Sequence, residues 1–113
     1  MFWIKGNYFF TSFQESDSIL WFGNRGYGAY RLNVETGEMT PYKFDDVVKS
    51  QTANDIFAIY KNEKGYWLGT SSGLLHLNQD YSHRHDRADL FSNNTVHGIL
   101  EDQQNNLWIS TNQ

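Results

Sequence analysis

His83-Arg84-His85 sets two imidazoles two residues apart, on one side of the chain if the segment is extended. Two histidines make only half of a metal centre, which needs a third or fourth ligand. His76 and His97 supply one only if the fold brings them close. Glu101-Asp102, followed by Gln103 to Asn106, offers carboxylate and amide oxygens to calcium, but without the spacing of an EF-hand loop. Asp and Asn also bond their own backbone in turns, which accounts for the segment without an ion. Glu15 with Asp17, and Asp45 with Asp46, are the carboxylate pairs that general acid–base chemistry uses, and nothing in the sequence brings the two pairs together. Nucleophile-elbow, phosphate-loop and His-Glu-x-x-His motifs are missing. The expectation is a chain with no metal site, no cofactor and no catalytic residues.

Binding is the chemistry that remains. Asn24-Arg25-Gly26-Tyr27 and Thr70-Ser71-Ser72 read as hairpin loops, and loops carry function while strands carry packing. Arg25 and Tyr27 suit an anionic or neutral sugar through charge-assisted hydrogen bonds and ring stacking, with Ser71 and Ser72 beside them. The competing reading of Tyr27 is a ring packed on the neighbouring sheet, the commoner fate of large aromatics.

The elements that would hold these loops are repeated. Leu20-Trp21-Phe22-Gly23, Tyr66-Trp67-Leu68-Gly69 and Leu107-Trp108-Ile109-Ser110 are three versions of one phrase, their tryptophans 46 and 41 residues apart (21 to 67, 67 to 108). A repeat of about 40 residues built from short strands is the length of a propeller blade. In the first copy the strands are Tyr8 to Gln14, Ile19 to Gly23, Gly28 to Asn33 and Met39 to Phe44, with Pro41 marking an edge strand. The second has Asp55 to Lys61, Tyr66 to Thr70, Gly73 to Leu77 and a polar outer strand, Tyr81 to Asp86. The third has Thr95 to Glu101 and Leu107 to Thr111. The predicted fold is all-β: a partial β-propeller of about two and a half four-stranded antiparallel blades, at about 7–45, 54–92 and 94–113. Helix is expected at most as a turn within Phe44 to Ala53. Trp21, Trp67 and Trp108 are assigned to the core between blades, with Gly23 and Gly69 allowing close backbone approach and Gly73 closing a tight hairpin.

Composition agrees. Aromatics make up 17% of the 113 residues against a single proline, so this is a chain that packs. A net charge of −4 with nine Lys and Arg, unclustered, argues against a nucleic-acid surface. There are no cysteines, which excludes disulfides and thiolate ligands without fixing a compartment. Met1 to Asn7 has neither the basic start nor the long apolar run of a signal peptide or membrane span.

Asn94-Thr95-Val96-His97-Gly98-Ile99-Leu100-Glu101-Asp102, the turn Gln103 to Asn106, and Leu107-Trp108-Ile109-Ser110-Thr111 together resemble the two-component regulator propeller repeat. Asn54 to Leu77 resembles it with one residue fewer in the first turn, and Asn7 to Leu32 more loosely. Ser110 stands where the family has Gly, and Lys61-Asn62 where it has Glu-Asp, so the blades are not equivalent. The resemblance implies a segment from the periplasmic sensor region of a hybrid two-component histidine kinase of the Bacteroidetes. Such sensors carry seven-bladed propellers and detect breakdown products of complex glycans. The expected partners are further blades of a parent protein, or copies of this chain completing a ring, because stacked repeats are stable only when neighbours cover their apolar faces. The alternatives from other classes are a stand-alone lectin-like oligosaccharide-binding module assembled from several chains, and a fragment of a propeller lyase.

Overall fold

A computed structural model describes residues 9–42, 55–80 and 94–111, and among them every regular element is a strand. The first sheet holds β1 (Phe9–Gln14), β2 (Ile19–Asn24), β3 (Ala29–Asn33) and β4 (Met39–Tyr42) in sequential antiparallel order. The second holds β5 (Ile56–Asn62), β6 (Gly65–Thr70) and β7 (Gly73–Leu77), and the third pairs β8 (Val96–Glu101) with β9 (Leu107–Thr111). Ends differ from the expected strands by a residue or two, where turn and ladder compete for the same backbone groups. Pro41 lies on β4, which among the described strands pairs with β3 alone, an edge position of the kind proline is confined to in sheets. The possible helical turn within 44–53 and the polar strand 81–86 fall outside the described residues.

Register makes the repeat exact in space. Phe13 faces Trp21, Tyr60 faces Trp67 and Leu100 faces Trp108 across the first hairpin of each sheet. Each first strand also bulges at one place, between Phe9 and Thr11, Ile56 and Ala58, and Val96 and Gly98. A bulge adds one residue and sharpens the local twist. The three extra residues, Phe10, Phe57 and His97, then meet from sheet to sheet, with ring centroids 4.4 and 5.5 Å apart.

The core lies between the sheets. Trp21, Ile19 and Ala29 of the first sheet pack with Ile56, Ile59, Tyr66, Leu68, Leu75 and Leu77 of the second. Trp67 and Leu74 pack with Val96, and with Ile99, Leu107 and Ile109 at its margin. Trp21 and Trp67 are 1% and 5% exposed. Burying an indole of this size removes up to about 250 Å² from water, worth several kcal/mol at about 25 cal/mol per Å². Trp108 departs from its expected place in the core: it is 62% exposed, with Leu100 beside it at 65%, because no described residue forms a sheet on that face of β8 and β9.

Two glycines set the sheet spacing. A Cβ on Gly23 would lie 2.7 Å from the Ile56 carbonyl oxygen, and one on Gly69 would lie 2.6 Å from that of Val96. Both residues sit two positions after the tryptophan, where the next first strand crosses. Gly73 closes the β6–β7 turn at φ +111°, a conformation that side chains resist.

Gly69→Ala must therefore push β8 away or distort β6, and it is expected to cost about 1–3 kcal/mol, the usual penalty of overpacking. Urea unfolding of the chain checks this, the expected result being a lower midpoint at an unchanged slope.

Candidate functional site

Alternating hairpins give the sheets two ends. At one lie the β2–β3 loop (24–28) and the β6–β7 turn (71–72); at the other lie the first hairpin turns, 15–18, 63–64 and 102–106.

The first end carries the sequence-selected residues. Gly26 and Gly28 both take φ +79°, so the loop folds back on itself and leaves Arg25 exposed and Tyr27 39% exposed. Asp55, which precedes β5, lies between the two loops. Its Oδ1 lies 3.9 Å from where a Cβ on Gly26 would be. Its Oδ2 accepts from the Ser71 hydroxyl at 3.3 Å, and its carbonyl accepts from the Ser71 N–H at 3.3 Å. The Asp55 carboxylate thus holds Ser71 and lies beside Gly26, in the loop that carries Arg25 and Tyr27. Ser72 stands differently. It is buried, and its N–H donates to Thr70 Oγ1 at 2.9 Å within the turn.

The opposite end holds a repeated polar device. Every repeat tryptophan donates its indole N–H to an acceptor at the first hairpin turn: Trp21 to Glu15 Oε1 at 2.8 Å, Trp67 to Asn62 Oδ1 at 3.0 Å, and Trp108 to Asp102 Oδ2 at 2.9 Å. A buried indole N–H needs such a partner. The signal was present in the sequence as an acidic or amide residue five or six positions before each tryptophan.

Carboxylates of this end also pin the seams between sheets. Glu15 Oε1 accepts from the Tyr66 hydroxyl at 2.6 Å, and its Oε2 lies 4.0 Å from Lys61 Nζ, tying the first sheet to the second. Glu101 accepts from the Tyr60 hydroxyl at 2.7 Å and from Asn62 Nδ2 at 3.4 Å, tying the third to the second. The hydrogen bond to Glu101 raises the Tyr60 pKa, since it holds the phenolic proton next to a negative charge.

Asp102 and His76, weighed from the sequence for chemistry, have partners within the chain. Asp102 Oδ1 accepts from the Gln104 and Asn106 N–H groups at 2.9 Å each, and Oδ2 from Asn106 Nδ2 at 3.2 Å, besides the indole. The carboxylate is thus committed to its own turn. His76 stacks on Trp67 with centroids 4.0 Å apart and donates its Nε2 proton to the Lys64 carbonyl at 2.7 Å. His83 and His85 lie outside the described residues, as do Asp45 and Asp46. Among the described residues no three metal-binding side chains gather, and no helix is long and apolar enough to cross a membrane.

With this geometry established, comparison with known proteins gives three findings. The family model described as two component regulator propeller matches residues 90–113. A histidine kinase of Formosa agariphila is 31% identical over 163 aligned positions, taking in 97% of this chain and 12% of its own length. Two B. thetaiotaomicron structures share the fold. One is the extracellular domain of a protein described as a hybrid two component system, with TM-score 0.66, 23% identity, and 89% of this chain and 12% of that one covered. The other is that of a protein described as a one component system, with TM-score 0.65, 19% identity, and 95% and 13% covered. The chain thus spans about an eighth of the proteins it matches.

Hydrogen bonds from the indole and the turn amides hold the Asp102 carboxyl at a pKa of about 2, below its ordinary 3.8. A depressed carboxylate stabilises its turn above the ordinary value and gives that up as pH falls toward the folded one. The Trp108 indole proton is therefore expected to keep its folded NMR shift down through pH 3.8 and to titrate near about 2. A midpoint near 3.8 would show that the turn does not hold.

Proposed function

From a chain that carries the two-component regulator propeller repeat, we propose a noncatalytic propeller segment of an extracytoplasmic sensor. Its role is to contribute ligand contacts and a scaffold to a larger protein that signals through a histidine kinase. The observation that carries this reading is likeness to a histidine kinase over 97% of the chain, in a repeat whose match at 90–113 belongs to a regulator family. The ligand site we propose is the loop end, where exposed Arg25, the Tyr27 ring, the Ser71 hydroxyl and Asp55 present donors, acceptors and an aromatic surface to a polyhydroxylated molecule such as a glycan fragment. Location outside the cytoplasm is part of the same proposal, supported by fold neighbours that are extracellular domains.

The partner follows from the seams. Phe13 and Trp21 pack on the second sheet, and their counterparts Leu100 and Trp108 stand exposed. We propose that this face receives another blade, from a parent protein or from a second copy. For the chain by itself, light scattering is then expected to return a mass above that of a monomer. A folded monomer at high dilution rejects self-association.

A glycan array probed with the chain tests the ligand. The expected outcome is binding to oligosaccharides, weakened about tenfold by Arg25→Ala, the loss that 1.4 kcal/mol of contact represents. An array on which no glycan is bound would remove the glycan reading.

A further inference from the structure

Among the described residues the three sheets leave two outer faces open, and these are the two halves of one seam. At both inner seams the covering residues lie at the same four positions of a hairpin: Ile56, Ile59, Tyr66 and Leu68 with Trp21, and Val96, Ile99, Leu107 and Ile109 with Trp67. Those positions in the first sheet are Phe9, Ser12, Leu20 and Phe22, on the face turned away from the second sheet. Ile56 and Val96 are fully buried, whereas Phe9 is 48% exposed. Ser12 is exposed, and Leu20 and Phe22 are half-buried. Tyr30 and Leu32 of β3 are buried, so the open part is the β1–β2 half, the half that meets the tryptophan at the second seam. At the other end, Leu100 and Trp108 hold the positions of Phe13 and Trp21 and stand exposed. One chain thus carries a tryptophan face without a cover and a cover without a tryptophan.

Charge follows position as well. Opposite the group that accepts the indole proton stands Lys61 for Glu15 at the first seam, and Glu101 for neutral Asn62 at the second. Neither inner seam sets two acids against each other. On the open tryptophan face the indole acceptor is the Asp102 carboxylate, which disfavours an acid opposite it. The first sheet carries Gln14 at the position of Lys61 and Glu101, and that residue is neutral and exposed.

We propose that the Trp108 face receives the first sheet of a second copy of this chain, head to tail, with Phe9 and Phe22 over Trp108 and Gln14 opposite Asp102. This rests on the partner reading above and commits it to one occupant. The new seam continues the two inner ones in position, apolar character and charge. A contact between unlike patches is heterologous, and it closes into a ring only if the rotation allows. Two copies bring six sheets, within the about four to eight of closed propellers. A two-fold pairing of two Trp108 faces would leave Phe9 uncovered in both copies. One feature of the third sheet differs. Ser110 stands where Gly23 and Gly69 admit a carbonyl, and its Oγ lies 2.9 Å from where a Cβ on Gly98 would be. The bare position has moved from the second strand to the first, so room for the entering strand lies over β8.

Sedimentation equilibrium of the whole chain and its variants tests this. Gln14 and Leu100 are exposed and lie on opposite outer faces, so neither substitution touches an inner seam. The unsubstituted chain is expected to self-associate. Gln14→Glu, which sets an acid against Asp102, should weaken association at least about tenfold, as like charges brought together do. Gln14→Lys should tighten it severalfold and make it sensitive to salt. Leu100→Ser should weaken it from the other half. An equal mixture of the Gln14→Glu and Leu100→Ser chains should associate more tightly than either by itself, because the intact tryptophan face of one meets the intact cover of the other. If the serine variant fails to fold, the two Gln14 variants carry the test. Self-association unchanged by Gln14→Glu, or no gain on mixing, overturns this occupant and leaves self-association through another face. A chain that stays monomeric overturns it too, and leaves a blade of a parent protein as the partner proposed above.

Discussion

A thin antiparallel sheet has two apolar faces, and among the described residues the faces that are buried are covered by neighbouring sheets of the same design. Everything else follows from that constraint. The tryptophan on each second strand is the largest group available to fill the gap, and it is buried wherever a following sheet exists. The glycine two residues later removes the one side chain that would hold the sheets apart, with the next strand's carbonyl 2.6–2.7 Å from the missing Cβ. Wide ring and bare backbone work as a pair: one fills space, the other permits approach. Ser110, in the third copy, stands where no described strand crosses.

Burying an indole buries its N–H, and Trp21 and Trp67 find an acceptor at the first hairpin turn, an arrangement that exposed Trp108 repeats. The acceptor changes from Glu15 to Asn62 to Asp102 while the geometry holds. This tolerance has a physical basis, since any fixed oxygen at about 2.9 Å satisfies the donor. The charge is then put to use elsewhere. Glu15 also receives Tyr66, whereas neutral Asn62 donates to Glu101 of the next sheet. Polar groups thus tie the seams as well as satisfying themselves.

The two ends of the sheets carry different kinds of group. The loop end is irregular, with positive-φ glycines and exposed side chains, and it varies between copies. The turn end repeats, because it serves the tryptophans. Function is expected where repetition fails, as at the loop with an added arginine and tyrosine.

Strand positions, turn residues, the edge proline and the spacing of tryptophans were legible in the sequence because each depends on neighbours a few residues away. Alternation, glycine placement and side-chain size determine a hairpin locally. The burial of Trp21 and Trp67 could be inferred from repetition alone, but the exposure of Trp108 could not, since it depends on whether a further sheet lies against β9. Nor could the sequence say that Tyr66 reaches Glu15 across 51 positions, that Tyr60 reaches Glu101 across 41, or that Asp55 holds Ser71. Those contacts arise only when sheets stack at a fixed separation and angle. The chain by itself determined three copies of one sheet; the packing of the sheets decided which polar groups meet.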